Sequence, residues 1–387
     1  MSDRVMLVLI GGRSAVPAIA GVLHFLDEID RIKFLLCRGD QYLQFQKNIE
    51  RVIKNERKNL LCDNETDVKS VDPSKFDEVY SSVKKLCEGV ENLKYVNLTT
   101  VPQTMAISVY SYVQENYKDT LVFSVNTDQS QIIPLAFKKE AVSFKKQITV
   151  ENYVAMCGFN IFRNKLTYES KIEIAKYIVE HLEISKKILS VIRSSAGNGD
   201  SIKAPRGFRI NEKDFTDLGI LASELEVFLN KLESYAIIHQ LEISNQRISF
   251  KIEKKEDYAF LAGEWLEVFV YVSAKECEFD SVEMGVEIDN YRGEIDVFCL
   301  KNANAMICEC KTGGKLSSDD LSVLGSKAEK LGGNYCVKLF ITSEFKVGED
   351  FINKAKNNRV VIVSGNELIR ISEILAKEMQ SPTHSRR

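Results

Sequence analysis

The strongest constraint on the fold comes at the N-terminus, where the run VMLVLI, residues 5–10, is continuously apolar and ends in Gly11 and Gly12. A strand without polar alternation must be buried on both faces, which in practice means a parallel sheet covered by helices on each side. The segment that follows, SAVPAIAGVLHFLDEI, reads as a helix capped by Ser14, with Pro17 tolerated near its first turn. Strand, glycine turn and helix make the opening unit of a Rossmann-like sheet. The turn residues Gly11, Gly12, Arg13 and Ser14 then lie at the carboxyl end of the first strand, where such sheets bind ligands. The turn is neither G-x-G-x-x-G nor Walker A, so neither a dinucleotide nor a nucleoside triphosphate is specifically indicated.

The alternation continues. Strand IKFLLC, helix QYLQFQKNIERVIKN, a polar connection from Glu56 to Ser74, helix FDEVYSSVKKLCEGV, strand KYVNLTT, helix TMAISVYSYVQENY and strand TLVFSV follow in turn. That order predicts a parallel, doubly wound α/β sheet. After the last strand, NTDQSQ forms a polar loop entering a short helix, IIPLAF. Asn126, Thr127, Asp128 and Ser130 are thereby placed at a strand end, beside the glycine turn or one strand removed from it. Polar loops at two strand ends offer backbone N–H groups and hydroxyls to a phosphate or a base.

A chain of 387 residues holds two or three cores, at about one domain per 100–200 residues. The boundaries read as 1–150, 151–256 and 257–387. A net charge of -3 gives no global basic field, so any nucleic-acid contact must come from a local patch. The nine cysteines are odd in number, form no C-x-x-C pair and fall largely in apolar runs, as expected of reduced core residues in a cytoplasmic protein. The four histidines are isolated and not spaced for a metal. There is no signal-peptide pattern at the N-terminus. No apolar run approaches the ~18 residues of a membrane span.

In the middle of the chain, residues from ITVENYVAMCGF to HLEISKKILSVI read as helical, and RSSAGNGDSIKAPRG as a linker. The helix LGILASELEVFLNKLESYAII carries Leu221, Leu225, Phe228, Leu229 and Leu232 on one face. The hairpin HQLEISNQRISFKI follows, turning at Asn245 and Gln246. Helix then wing outlines a winged-helix segment. Glu224, Glu226 and Glu233 make it a better structural or dimerisation element than a reader of bases.

The chemistry is concentrated near residues 263–311. GEIDVFCL and AMICECK alternate with the period of half-buried strands, so Glu294 and Asp296 share a face of the first, and Glu309 and Lys311 a face of the second. Paired through KNANA, the strands bring Asp296, Glu309 and Lys311 together. Carboxylates on an otherwise apolar sheet are costly without a partner such as a metal ion. Upstream, GEWLEVFVYV reads as a helix with Glu264 and Glu267 as neighbours, either of which can face the same site. Hard oxygens and a lysine suit Mn2+- or Mg2+-assisted phosphodiester hydrolysis. Lys315, Lys327 and Lys330, in the loop and helix that follow, read as a local phosphate-binding patch.

The ordered set GEWLE, EIDV, ICECKTG and LGG resembles the PD-(D/E)xK nuclease superfamily. It most resembles the nuclease half of the CRISPR-associated effectors activated by cyclic oligoadenylate, in which a CARF (CRISPR-associated Rossmann fold) domain precedes the nuclease. The resemblance implies Asp296 and Glu309 as metal-binding and catalytic carboxylates, Lys311 as the catalytic lysine and Glu267 as the helix glutamate, with Glu264 its competitor. It implies a CARF-like first domain binding cyclic oligoadenylate, in particular cyclic tetra-adenylate, across a homodimer axis through Gly11, Gly12, Arg13, Ser14, Asn126, Thr127 and Asp128. The second of these loops departs from the family, having NTDQSQ where a glycine pair followed by a threonine or basic residue is common. The expectation is a metal-dependent nuclease acting on DNA or RNA. The competing readings are an inactive ligand-sensing dimer and a ligand-responsive DNA-binding regulator.

Overall fold

The computed structural model describes residues 2–384 except 137, 164–168, 198–200, 245, 290–292, 314–315 and 333–335. The chain divides into two compact units. The first comprises Met1–Phe162, Ile288–Tyr291 and Leu300–Asn304, and the second Arg163–Glu287, Arg292–Cys299 and Ala305–Arg387.

The first unit is built on a seven-stranded sheet. Its strands are β1 (Arg4–Ile10), β2 (Arg31–Cys37), β3 (Val68–Val71), β4 (Asn92–Asn97), β5 (Leu121–Asn126), β6 (Gln131–Pro134) and β7 (Val142–Ser143). They lie in the order β3-β2-β1-β4-β5-β6-β7. Strands β1 to β5 are parallel, as the alternation predicts. Val5 to Ile10 are buried without a break, and the helix Val16–Phe25 covers them with Pro17 in its first turn. The order reverses between β1 and β4, which makes the mouth between their carboxyl ends the topological switch point.

Two elements differ from expectation. Strand β3 lies inside the supposed polar connection. It is a four-residue edge strand with Lys69 and Ser70 exposed, too short and too polar to show a period. Of the predicted helix IIPLAF, Ile132, Ile133 and Pro134 belong instead to β6, which folds back antiparallel on β5, and Phe137 lies outside the described residues. Ser130 takes a left-handed φ of 49° at the turn, and the β-branched pair Ile132 and Ile133 suits the strand.

In the second unit, helices Ile172–Glu180 and Leu182–Ser195 follow the expected helical stretch, which is interrupted by the short strand β8 (Ile161–Arg163). The winged-helix outline acquires a third strand. β9 (Arg206–Asn211), drawn from the end of the presumed linker, pairs antiparallel with β11 (Arg247–Ile252), which pairs with β10 (His239–Ser244). Leu225, Phe228, Leu229 and Leu232 are buried as predicted, but Leu221 precedes the helix Ala222–Ser234 and is 63% exposed. Asn245, assigned to the hairpin turn, lies outside the described residues.

The site is carried by a six-stranded sheet ordered β16-β15-β14-β13-β12-β8. Its further strands are β12 (Ser281–Ile288), β13 (Glu294–Lys301), β14 (Asn304–Lys311), β15 (Val337–Thr342) and β16 (Val361–Ser364). Strand β12 was not anticipated from the sequence. β14, β15 and β16 are parallel, and the helix Ser318–Gly332 makes the crossover from β14 to β15. None of the nine cysteines forms a disulfide, and Cys37, Cys299, Cys308 and Cys336 are buried. Among the described residues no helix is long and apolar enough to cross a membrane.

Candidate active site

The hairpin of β13 and β14 sets out the first carboxylates. Asp296 Oδ2 accepts the backbone N–H of Cys310 at 2.6 Å, which fixes the carboxylate beside the Glu-x-Lys strand. Burial pushes the Asp296 carboxyl well above the usual carboxylate range, and the charges of Glu309 and then Glu267 push it further. The Cys310 N–H and the Lys327 ammonium act in the opposite sense. Glu267, Asp296 and Glu309 therefore share one electrostatic neighbourhood, as the sequence pattern implied. Of the two helix glutamates, it is Glu267 whose charge acts on Asp296.

Glu267 occupies the first turn of the helix Trp265–Glu276, where a carboxylate is favoured by the helix dipole. That helix starts from a π-turn, Phe260–Glu264. The turn explains the glycine of GEWLE. A Cβ on Gly263 would stand 2.6 Å from the Thr312 hydroxyl, so only glycine lets the turn approach the end of β14 next to Lys311. Arg193 joins the same two segments, donating to the carbonyls of Ala262 at 3.4 Å and Thr312 at 3.3 Å.

Both functional side chains of the Glu-x-Lys strand are held by the crossover helix. Lys311 Nζ lies 3.2 Å from Asp320 Oδ1, with its side chain 40% exposed. Lys327 Nζ donates to Glu309 Oε2 and to the Glu294 carbonyl, each at 2.6 Å. The reading of Lys327 as part of an exposed phosphate patch is thus corrected. It is buried in the site and neutralises a carboxylate, whereas Lys330 is exposed and Lys315 lies outside the described residues. Sequence reasoning missed Asp320 altogether. The available signal was its spacing from Lys327, two helical turns, which places both on one face of the helix.

The donor set of clustered hard oxygens, one of them on a carboxyl disfavoured by its surroundings, fits Mg2+ or Mn2+ chemically. Among the described residues, no group of three or more His, Cys, Asp or Glu side chains is placed to hold a metal ion. The carboxylate oxygens Asp296 Oδ2 and Glu309 Oε2 are both engaged by protein donors.

The candidate ligand loops lie at the other sheet. A Cβ on Gly11 would meet Cys37 Sγ at 2.6 Å and Pro102 Cδ at 2.8 Å, and one on Gly12 would meet the Thr100 carbonyl at 2.6 Å. These glycines therefore let the loops after β1 and β4 close on each other at the switch point. The Thr99–Pro102 side of that mouth was not foreseen. Arg13 and Ser14 are exposed, and Ser14 Oγ accepts the N–H of Val16 at 3.2 Å at the start of the helix. Asn126 closes its own turn by accepting the N–H of Gln129 at 3.2 Å, while Asp128 is exposed and Thr127 half-buried. Since β4 lies between β1 and β5, this turn is one strand removed from the glycine loop.

A Rossmann-type unit followed by a mixed sheet with carboxylates and a lysine on a central hairpin is the α/β architecture of a CARF-like domain joined to a restriction-endonuclease-like one. Residues 254–381, a third of the chain, match the family described as Card1-like, endonuclease domain. The whole chain superposes on protein VC1899 from Vibrio cholerae with a TM-score of 0.76, at 18% identity, covering 98% of this chain and 99% of that one. Can2 from Sulfobacillus thermosulfidooxidans, solved in complex with cyclic tetra-adenylate, matches with a TM-score of 0.68 at 16% identity over 97% and 99% of the two chains. A type III CRISPR defence DNA nuclease activated by cyclic oligoadenylate matches at 0.51 and 13% identity, over 90% of this chain and 47% of that one. Among curated protein sequences none matches. The fold and the resemblance drawn from the sequence are borne out.

Proposed function

We propose that the protein is a divalent-metal-dependent endonuclease switched on by a cyclic oligoadenylate, most simply the tetra-adenylate, bound by a homodimer. The observation that supports this is the hydrogen bond that sets Asp296 against the Glu-x-Lys strand, under the charges of Glu309 and Glu267, within the region that matches the endonuclease family. A divalent cation held by these carboxylates would supply Lewis-acid stabilisation of charge on the phosphate and a more acidic water. The chain's own residues do the rest. The Cys310 N–H holds Asp296 in place, Lys311 brings a positive charge to the attacking water or the phosphate, and Asp320 keeps that ammonium at the strand end. Activation by cyclic tetra-adenylate rests on the likeness to Can2 in fold and on the loops gathered at the switch point between β1 and β4. Metal ligands see only phosphate, so DNA and RNA are both retained as substrates.

The test is cleavage of supercoiled plasmid and of labelled RNA with Mn2+, with and without cyclic tetra-adenylate. The expected outcome is metal-dependent cutting raised by the ligand. Asp296→Ala and Lys311→Ala should each lower it at least a hundredfold while ligand affinity stays unchanged. Cutting that survives both substitutions would remove the site, and ligand binding without cutting would favour a sensor-only dimer.

A further inference from the structure

The charges of Glu309 and Glu267 both bear on the half-buried Asp296, and the fold must offset that repulsion before any cation arrives. Among the described residues a buried positive charge, Lys327, stands beside Glu309. Lys327 has a side chain only 4% exposed, and its ammonium sits 2.6 Å from Glu309 Oε2. It is not a surface lysine that happens to reach a glutamate. The second hydrogen bond, to the Glu294 carbonyl at 2.6 Å, anchors the ammonium to β13 as well as to β14. Lys311 does not serve the same purpose, since its ammonium is paired with Asp320.

We infer that Lys327 is an internal counter-ion for the carboxylate cluster, a positioning residue that holds Glu309 in the cation-free protein and competes with an incoming divalent cation for its charge. The inference rests on the metal-site reading above, which it deepens. It divides the labour of two lysines that the sequence presents alike. Lys311 faces the reacting phosphate. Lys327 never meets substrate and acts through Glu309. A buried pair that loses one partner leaves an uncompensated charge, whereas replacing both partners with neutral groups of similar size is tolerated much better. Removing a resident positive charge also strengthens the attraction of the remaining carboxylates for a cation.

The experiment uses the full chain and has two arms. In EDTA, thermal unfolding is followed for wild type, Lys327→Met, Glu309→Gln and the double variant. Lys327→Met should lower the Tm, and adding Glu309→Gln should restore at least half of the loss. Strictly additive losses would show a merely structural lysine and overturn the inference. In the second arm, Mn2+ binding is measured by calorimetry on wild type and Lys327→Met, which should bind at least threefold tighter. Equal or weaker binding would overturn the competition. A wild-type protein that binds no Mn2+ would instead sink the metal-site reading, and the EDTA arm would still decide the role of Lys327.

Discussion

Asp296 is held against the ordinary preference of a carboxyl group. Its surroundings favour the protonated form, because burial and the charges of Glu309 and Glu267 outweigh the Cys310 N–H and the Lys327 ammonium. The folded-state pKa lies above the unfolded one, so the native protein holds this proton over a pH range in which the unfolded chain has released it. Across that window stability falls as pH rises. Asp296→Asn keeps an oxygen for the Cys310 N–H and removes the charge. In EDTA it should therefore stabilise the protein at pH 8, where the native carboxyl carries a charge its surroundings disfavour. The gain should fade toward pH 4, where the native carboxyl is protonated and the unfolded one about half so. Urea denaturation of both proteins at the two pH values checks this. A gain that is equal at both, or a loss at pH 8, would mean that Asp296 is not strained in the way its surroundings imply. Activity should vanish in the same variant.

At the scale of elements, the β13–β14 hairpin shows how sequence specifies and also conceals structure. Its strands were legible because charged and apolar residues alternate with period two, which puts Glu309 and Lys311 on one face of β14. The turn was legible only in outline. Asn302 and Ala303 both take left-handed φ, 53° and 63°, which is a two-residue turn of the twist-compatible kind. Asparagine tolerates that region and alanine does not, at a cost of ~1–2 kcal/mol. Ala303→Gly should raise stability by about 0.5–1 kcal/mol without changing the spacing of the site, measurable as a shift in the urea midpoint at constant slope. An unchanged or lower midpoint would show that the turn is not strained at Ala303. The elements that escaped prediction did so for physical reasons. Strand β3 has exposed Lys69 and Ser70 and no period to read. β6 was mistaken for a helix because four residues are too few to separate one period from the other. Lys327 was misplaced because charge alone does not say whether a helical lysine faces solvent, and only its partner Glu309, eighteen residues earlier in the chain, settles it.

At the scale of the whole molecule, one hairpin is shared. Its strands belong to the second unit, but its tip, Leu300–Asn304, belongs to the first. Within that first unit the Asn302 amide donates to the Asp128 carbonyl at 2.9 Å, and its side-chain oxygen is bonded by Ser130. Asp128 and Ser130 lie on the turn after β5, in the loop assigned to the activator, while Asp296 and Glu309 lie farther along the strands that run from Asn302 and Ala303. The covalent backbone of β13 and β14 runs from that turn to Asp296 and Glu309. For a ligand to act through this path it must bind one arrangement of the turn more tightly than another, and each ~1.4 kcal/mol of such preference yields a tenfold change in the active population. Asn302→Gly removes both bonds to the turn, keeps the left-handed φ of 53° without strain and touches no carboxylate. It should leave the Kd for cyclic tetra-adenylate and the ligand-free rate in Mn2+ within twofold of wild type, and lower the ratio of activated to basal cleavage about tenfold. Binding is read by calorimetry and cleavage by plasmid nicking over a ligand titration. If the activation ratio is unchanged, the signal reaches the carboxylates by a route other than this hairpin; if the basal rate collapses as well, Asn302 supports the site itself and does not relay the ligand's state.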